Sequence, residues 1–377
     1  MNHPAIRISK FLILTPLLAA LLFVISCGGS APAEPAVVEK AAVKDAPAAK
    51  ANPTPADPVA PAASSSAPTG TMTVALENLG AEVTDPILQS RAGHAQYQAP
   101  IYDALLGFNY ESQFGGLGRG VAEEWGIDPD GLSWTFKIQD GLTFHDGEPL
   151  TADDVKFSLE RTMFHPETVT SDARRMAKQM RQPAEEAVEV VDPLTVRIFT
   201  EGSKPHFWSL LTRAVFQGGQ IMPQDYIETN GDEVFREKPV GSGPWKYAGH
   251  QVGDHFAYEA FDNNFRGAPH FQELKLLLIP EESTKIAMLR TGQADIIDLV
   301  PESAPEVGDS GAKMTTIEGV GMFIFQFWGM YFDENQDQPL NDVRVREALS
   351  LAINRQDIID YTLNGYGRPS MPFATFP

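Results

Sequence analysis

The sequence predicts an α/β protein with more than one lobe, and three observations carry that reading. Short stretches alternate apolar and polar residues with the two-residue period of a strand. Between them lie segments whose apolar residues recur every four positions, the period of a helix with one buried face. The part of the chain that holds every tryptophan and tyrosine, Thr71 to Pro377, is 307 residues long, above the size at which a single core usually divides.

Residues 1–26 read as an export signal: Arg7 and Lys10 supply its positive region, and the uncharged run from Phe11 to Ser26 its apolar one. That run is 16 residues long and contains Pro16, whereas a spanning helix needs roughly 20 apolar residues, so a cleaved signal is expected. Val24-Ile25-Ser26-Cys27 resembles the bacterial lipobox, and Cys27 is the only cysteine of the chain. Acylation there would anchor the protein to a bilayer, each buried methylene contributing about 0.8 kcal/mol. It would also leave no thiol for a disulfide or a thiolate metal site. Gly28 to Gly70 follows, 43 residues with 14 alanines, 8 prolines and no aromatic residue. Such a composition buries too little apolar surface to offset chain entropy and reads as a disordered tether, reaching roughly 130 Å if extended at about 3.1 Å per residue. The net charge of −21 becomes more negative once Arg7 and Lys10 are removed. Such a surface repels phosphate backbones and disfavours nucleic acid as a partner.

The body begins with a strand at Thr71 to Leu76. Leu132 to Ile138 and Leu194 to Phe199 are the next two, introduced by the turns Asp130-Gly131 and Asp192-Pro193. Thr151 to Met163 is expected to be helical, with Val155, Leu159 and Met163 on one face, and so is Asp342 to Leu363, interrupted near Asn354.

The stretch "FHDGEPLTADDVKF", residues 144–157, gathers a histidine and four carboxylates. A hydrolase reading would assign acid/base work to His145 and Asp146. The structural reading accounts for the same residues as a turn and a cap. Asp146-Gly147 reverses the chain, Pro149 keeps Glu148 out of helical conformation, and Thr151 with Asp154 fits a capping box. Histidine pairs at helical spacing, which a metal site would want, are missing. Gly116-Leu117-Gly118-Arg119-Gly120 and Gly241-Ser242-Gly243-Pro244 lack the spacing of a dinucleotide loop, and Pro244 removes an amide that a phosphate cradle would use. No nucleophile-elbow pattern is present. Phe323, Phe325, Phe327, Trp328, Tyr331 and Phe332 crowd one strand-like segment. This is either a core strand or a strand lining a cleft, and Gln326 and Trp328 are the ligand-contact candidates of the second reading.

Four blocks together resemble the extracytoplasmic solute-binding proteins of ABC importers, in the cluster for oligopeptides, dipeptides and nickel (family 5). They are "GVAEEWGIDPDGLSWTFKIQDGLTFHDGEPLTADDVKFSLER", "PVGSGPWKY", "LRTGQADIID" and "NDVRVREALSLAINRQDII". "FDNNFRG" departs from the family's Asn-Pro-x-Tyr-Trp run, and Ser242 and Trp245 stand where Thr and Tyr are usual. The resemblance implies a two-lobed periplasmic-binding-protein fold of the type II kind. A first lobe would combine 71–100 and 200–298 around an inserted subdomain at about 101–199, and 299–377 would begin a second lobe left incomplete by a C-terminal truncation.

By position, the family's first-lobe ligand segment falls just after Asp85-Pro86, making Ser90, Arg91, Gly93, His94 and Tyr97 candidates, with Gln326 and Trp328 opposite. The implied partners are a peptide or other small solute, ABC permease subunits, and a bilayer reached through acylated Cys27. No cofactor, metal or enzymatic activity is implied. The protein is expected as a monomer on the extracytoplasmic face of the envelope, in the periplasmic space or on the outer surface of the plasma membrane. The alternatives are the secreted hydrolase using His145 and Asp146, and a fragment that binds nothing.

Overall fold

The structure is a computed structural model, and it describes residues 67–89, 95–108, 117–118, 120–169, 171–212, 218–308, 311–315 and 337–369. All of them belong to one compact unit, Pro55–Pro377. Its strands are β1 (Thr71–Leu76), β2 (Gly107–Phe108), β3 (Leu117–Gly118), β4 (Ala122–Ile127), β5 (Ser133–Ile138), β6 (Val188–Asp192), β7 (Thr195–Phe199), β8 (Trp245–Gln251), β9 (His255–Ala260), β10 (Glu273–Leu278) and β11 (Ile296–Ile297). The helices are α1 (Ala95–Gln98), α2 (Ala152–Phe164), α3 (Ser171–Gln179), α4 (Gln224–Asn230), α5 (Asp232–Glu237), α6 (Glu282–Thr291), α7 (Ala304–Gly308) and α8 (Val343–Ala352). No helix among the described residues is long and apolar enough to cross a membrane.

Beside the two-stranded pair β2-β3, two larger sheets organise the described residues. The larger runs β11-β1-β10-β9-β8. In it β1 lies parallel to β10, Thr71 opposite Glu273, and parallel to β11, Val74 opposite Ile296, while β8, β9 and β10 pair antiparallel. The smaller runs β4-β5-β7-β6, antiparallel throughout. The strands at 71–76, 132–138 and 194–199 expected from alternation are all present. In β5 the inward residues are Trp134, Phe136 and Ile138, and in β7 Val196 and Ile198.

Each sheet has its own core. Phe256, Tyr258, Leu274 and Leu276 of the larger sheet pack with Leu79, Ile87, Tyr97, Ile101, Tyr102 and Phe235. The smaller sheet packs on Val155, Leu159, Met176, Phe207 and Leu210. Each fully buried side chain of this kind contributes about 1.5–3 kcal/mol.

Helix α2 touches both cores. Val155, Leu159 and Met163, the face expected from the spacing of four, enter the core of the smaller sheet. Phe157 packs against that of the larger. Ser158, between the two faces, accepts from the Met222 N–H at 2.7 Å. The helix begins with the expected capping box: Asp154 accepts from the Thr151 N–H at 2.9 Å and from its hydroxyl at 3.0 Å. The second Asp154 oxygen accepts from the Gln224 N–H at 2.9 Å, joining the start of α2 to the start of α4.

The expected interruption near Asn354 is also present. Asp342 caps α8, and Asn354 accepts from the N–H groups of Gln356 and Asp357 to start a new short helix. Between these regions, α6 delivers Lys285 to the end of the larger sheet. Its ammonium, on a side chain 1% exposed, donates to the Asp298 carboxylate at 2.5 Å, the Asp298 carbonyl at 2.9 Å and Glu282 at 2.9 Å. The same Asp298 carboxylate accepts from the Glu77 N–H at 3.0 Å, so one buried lysine ties together the ends of β1, β11 and α6.

Candidate ligand-binding site

Ser90, Arg91, Gly93 and His94 lie outside the described residues, as do Gln326, Trp328 and the lipidation candidate Cys27. The structure does describe the frame on either side of residues 90–94, and both sides are built from buried polar contacts. Upstream, Asp85 caps a single turn at Pro86–Leu88 and accepts from the Ile87 N–H at 3.3 Å. Its carboxylate is fully buried and takes two parallel hydrogen bonds from Arg161 of α2, at 2.8 and 2.9 Å. A third comes from Arg236 Nε of α5 at 3.3 Å. Arg161 also reaches Asp232, at 2.6 Å, and Asp232 holds His165 at 2.9 Å.

Burial alone would make Arg161 give up its proton more easily, but hydrogen bonds and charge from Asp85 and Asp232 more than offset it and hold the guanidinium firmly charged. Burial would likewise raise Asp232, yet Arg161 and His165 hold its carboxyl below the usual range. A paired, hydrogen-bonded carboxylate can stay charged in the interior, where an unpaired one would be neutralised.

Downstream, Gln98 donates to the carbonyls of Val83, at 2.8 Å, and Asp85, at 3.4 Å. Tyr102 donates its hydroxyl proton to the Thr84 carbonyl at 3.1 Å. Tyr97, the one solute-contact candidate that is described, lies in the core with no exposed surface. Its ring stacks on Phe256 with centroids 4.7 Å apart, its hydroxyl accepts from the Val83 N–H at 3.2 Å, and its carbonyl accepts from the Tyr258 hydroxyl at 2.8 Å. Residues 83–89 and 95–102 are thus pinned to one another.

His145 and Asp146 serve the backbone. The His145 Nδ1 accepts from the Gly241 N–H at 3.3 Å, which leaves Nε2 protonated and donating to the Gly243 carbonyl at 2.9 Å. Burial, opposed by the bond to Gly243, lowers its pKa to about 4, so the ring is neutral near pH 7 with both nitrogens committed. Asp146 is exposed and accepts from the Glu148 N–H at 3.2 Å, closing the turn in which Gly147 sits at φ +97°. His145, with both ring nitrogens held by backbone groups, is therefore not free to take the proton that the hydrolase alternative assigns to this pair.

The glycines that His145 holds are set by close approach. A Cβ on Gly241 would come within 2.1 Å of the Ile101 carbonyl oxygen, and one on Gly243 within 2.3 Å of that of Pro100. The Gly243 and Trp245 N–H groups donate to Ile101 and Pro100 at 2.8 and 3.0 Å. The long block around His145 and "PVGSGPWKY" meet at this crossing.

Sequence reasoning missed the Asp85–Arg161–Asp232–Arg236 network. The one local signal was an aspartate directly before a proline, next to the expected ligand segment. His165, Glu167 and Asp232 also offer ligand atoms within 4.8 Å of one another, a metal-like grouping. However, Arg161 already holds Asp232, Arg236 holds Glu167, and the His165 Nδ1 accepts from the Glu167 N–H at 3.2 Å, which keeps the proton on Nε2.

Residues 117–377 match the family model of bacterial extracellular solute-binding proteins, family 5. The chain belongs to this family. Its family 5 relatives include heme-binding protein A of Haemophilus influenzae, 27% identical over 283 residues, covering 71% of this chain and 50% of the relative. The dipeptide-binding protein of Escherichia coli is 26% identical over 287 residues, covering 71% and 51%. Among solved structures, the periplasmic binding protein DppA from Helicobacter pylori in complex with peptide STSA superposes with a TM-score of 0.60 at 22% identity, over 79% of this chain and 59% of that one. That likeness establishes the fold as the α/β, two-lobed periplasmic-binding-protein type. The chain spans about half the length of the curated family 5 relatives it matches.

Proposed function

We propose that the protein is the solute-capturing component of an ABC importer. It takes an oligopeptide or dipeptide between its lobes and presents it to a membrane permease, without changing it chemically. Family 5 membership over residues 117–377 carries this reading. Two relatives are named for a dipeptide and for heme, and the DppA structure holds a peptide, which favours a peptide as solute over heme.

In this reading the first lobe combines 71–100 with 200–298. The pairing of β1 with β10 and β11 in one sheet supports that grouping. Residues 101–199 are the insert, and all four strands of the smaller sheet fall within them. Residues 299–377 begin the second lobe. Ser90, Arg91, Gly93 and His94 face the solute, with Gln326 and Trp328 opposite and Tyr97 bracing the segment from the core. A solute that touches both lobes favours the closed state, and the permease reads that state. Cys27 anchors the protein to the envelope.

The test is thermal unfolding of the full chain with di-, tri- and tetrapeptides and with heme. A solute at a hundredfold excess over its Kd stabilises by about 2.7 kcal/mol. A saturable shift with peptides supports the reading, a shift with heme alone replaces the solute, and no shift with any of them overturns it.

A further inference from the structure

An apolar groove of 570 Å³ opens along the outer side of α2, toward α4 and the turn at Ala184–Glu186. Phe157, Phe164 and Ile227 line it with apolar surface, and Phe164 is 37% exposed, high for a phenylalanine. Glu160, Glu185 and Glu228 line it as well. Arg161, His165 and Asp232 line it too, and the charge of Arg161 is already matched by Asp85 and Asp232. We propose that this groove is a second binding site, for a small aliphatic polyamine, whose methylene stem would lie on the phenylalanines while its ammonium groups meet the glutamates.

The groove's own chemistry selects that occupant. A hydrated inorganic cation gains nothing from an aromatic floor, and an anion is repelled by three carboxylates. A neutral apolar ligand would strip water from Glu160 and offer no charge in return, which is costly for a carboxylate. An organic cation satisfies both surfaces, its stem by apolar burial and its head groups by charge and cation–π attraction. Glu160 marks the more sensitive point. Burial, opposed by Lys156 and reinforced by Glu185, holds its carboxyl above the usual range. Lys156 stands 3.8 Å away, too far for a hydrogen bond. An ammonium placed between Glu160 and Glu185 would relieve both the desolvation and the repulsion. The site is carried by α2, α4 and the 184–186 turn and is independent of the peptide reading above.

The experiment is calorimetric titration of the full chain with spermidine, repeated in the presence of magnesium and with the Glu160→Gln/Glu185→Gln variant. Saturable binding is expected for the wild type, surviving equimolar magnesium and weakened about tenfold in the variant. Phe164→Ser is expected to weaken spermidine binding while leaving the weak magnesium response unchanged. Equal melting temperatures of the wild type and the variants, checked first, ensure that a lost signal is not lost folding. The proposal is overturned if the wild type shows no saturable binding, if equimolar magnesium abolishes it, or if the double variant binds as the wild type does. The peptide-dependent shift of the double variant, measured alongside, reports the inter-lobe reading separately.

Discussion

Replacing Arg161 by methionine tests whether the frame beside residues 90–94 depends on one buried ion pair. The substitution keeps most of the apolar stem and removes the guanidinium, so it isolates the charge. Asp85 then loses its bonds at 2.8 and 2.9 Å and keeps the longer one to Arg236, at 3.3 Å, and the Ile87 N–H at 3.3 Å. Removing one partner of a fully buried pair costs about 3–5 kcal/mol, and because Arg236 stays within reach the expected loss is at the lower end, about 3 kcal/mol. The assay is urea unfolding near pH 7, with the slope m compared between proteins to show that the same surface is exposed. Asp85→Asn in the same chain removes the stranded charge, so the double variant is expected to recover about half of the loss or more. The pairing argument is wrong if Arg161→Met costs less than about 1 kcal/mol, or if the double variant costs the sum of the two single ones. The pH dependence has a definite sign. Asp232 is held below the usual carboxylate range. Its contribution is therefore complete above the ordinary value near 4 and is lost as pH falls through the lower folded-state value.

His145 gives a second pH signature. Its pKa falls from 6.5 to about 4 on folding, so the unfolded chain alone takes up this proton between those values and stability declines as pH drops across that window. The gap is worth about 3 kcal/mol, and His145→Ala is expected to lose about 2 kcal/mol at pH 7 together with that part of the pH slope in urea titrations. Gly243→Ala would press a methyl group onto the Pro100 carbonyl and is expected to cost about 3 kcal/mol, whereas Gly126→Ala, with nothing within 4 Å of its Cβ, measures the background. Lys285→Met leaves Asp298 and Glu282 without their shared cation. A loss of about 2 kcal/mol with faster amide exchange at Glu77 and Val300 is expected, and unchanged exchange there would refute the tie. The proposed anchor at Cys27 is tested by Cys27→Ser, which is expected to shift the protein toward the soluble fraction of producing cells; the same partition for both proteins would refute the anchor.

Local features were legible in the sequence because their causes are local. A capping box needs residues three apart, so Thr151 and Asp154 announced the start of α2. Alternation announced β5 and β7 because each has one face turned into a core, whereas β1 is covered on both faces, Met72, Val74 and Leu76 packing against the core and Ala75 buried opposite. The spacing of four gave only half of α2: it found Val155, Leu159 and Met163, but not that Phe157 enters the other core and that Arg161 carries a buried charge. Arg161 reads as an ordinary solvent-facing residue until Asp85, 76 positions earlier, is placed against it. Tyr97 shows the same limit from the other side. Its distance from Asp85-Pro86 made it a ligand candidate, while its burial follows from stacking on Phe256, far along the chain.

The histidine of "FHDGEPLTADDVKF" shows what a residue in a family-like block can do for the backbone. Its ring joins the turn before α2 to the glycines of "PVGSGPWKY", and those glycines lie against the backbone of Pro100 and Ile101. Three chain segments widely separated in sequence therefore meet where none of them has spare volume. Substitution at any one must be accommodated by the other two, whereas a surface-loop residue can change alone. At this crossing it is backbone packing that constrains the residues, so they speak to the architecture and leave the choice of solute to be measured.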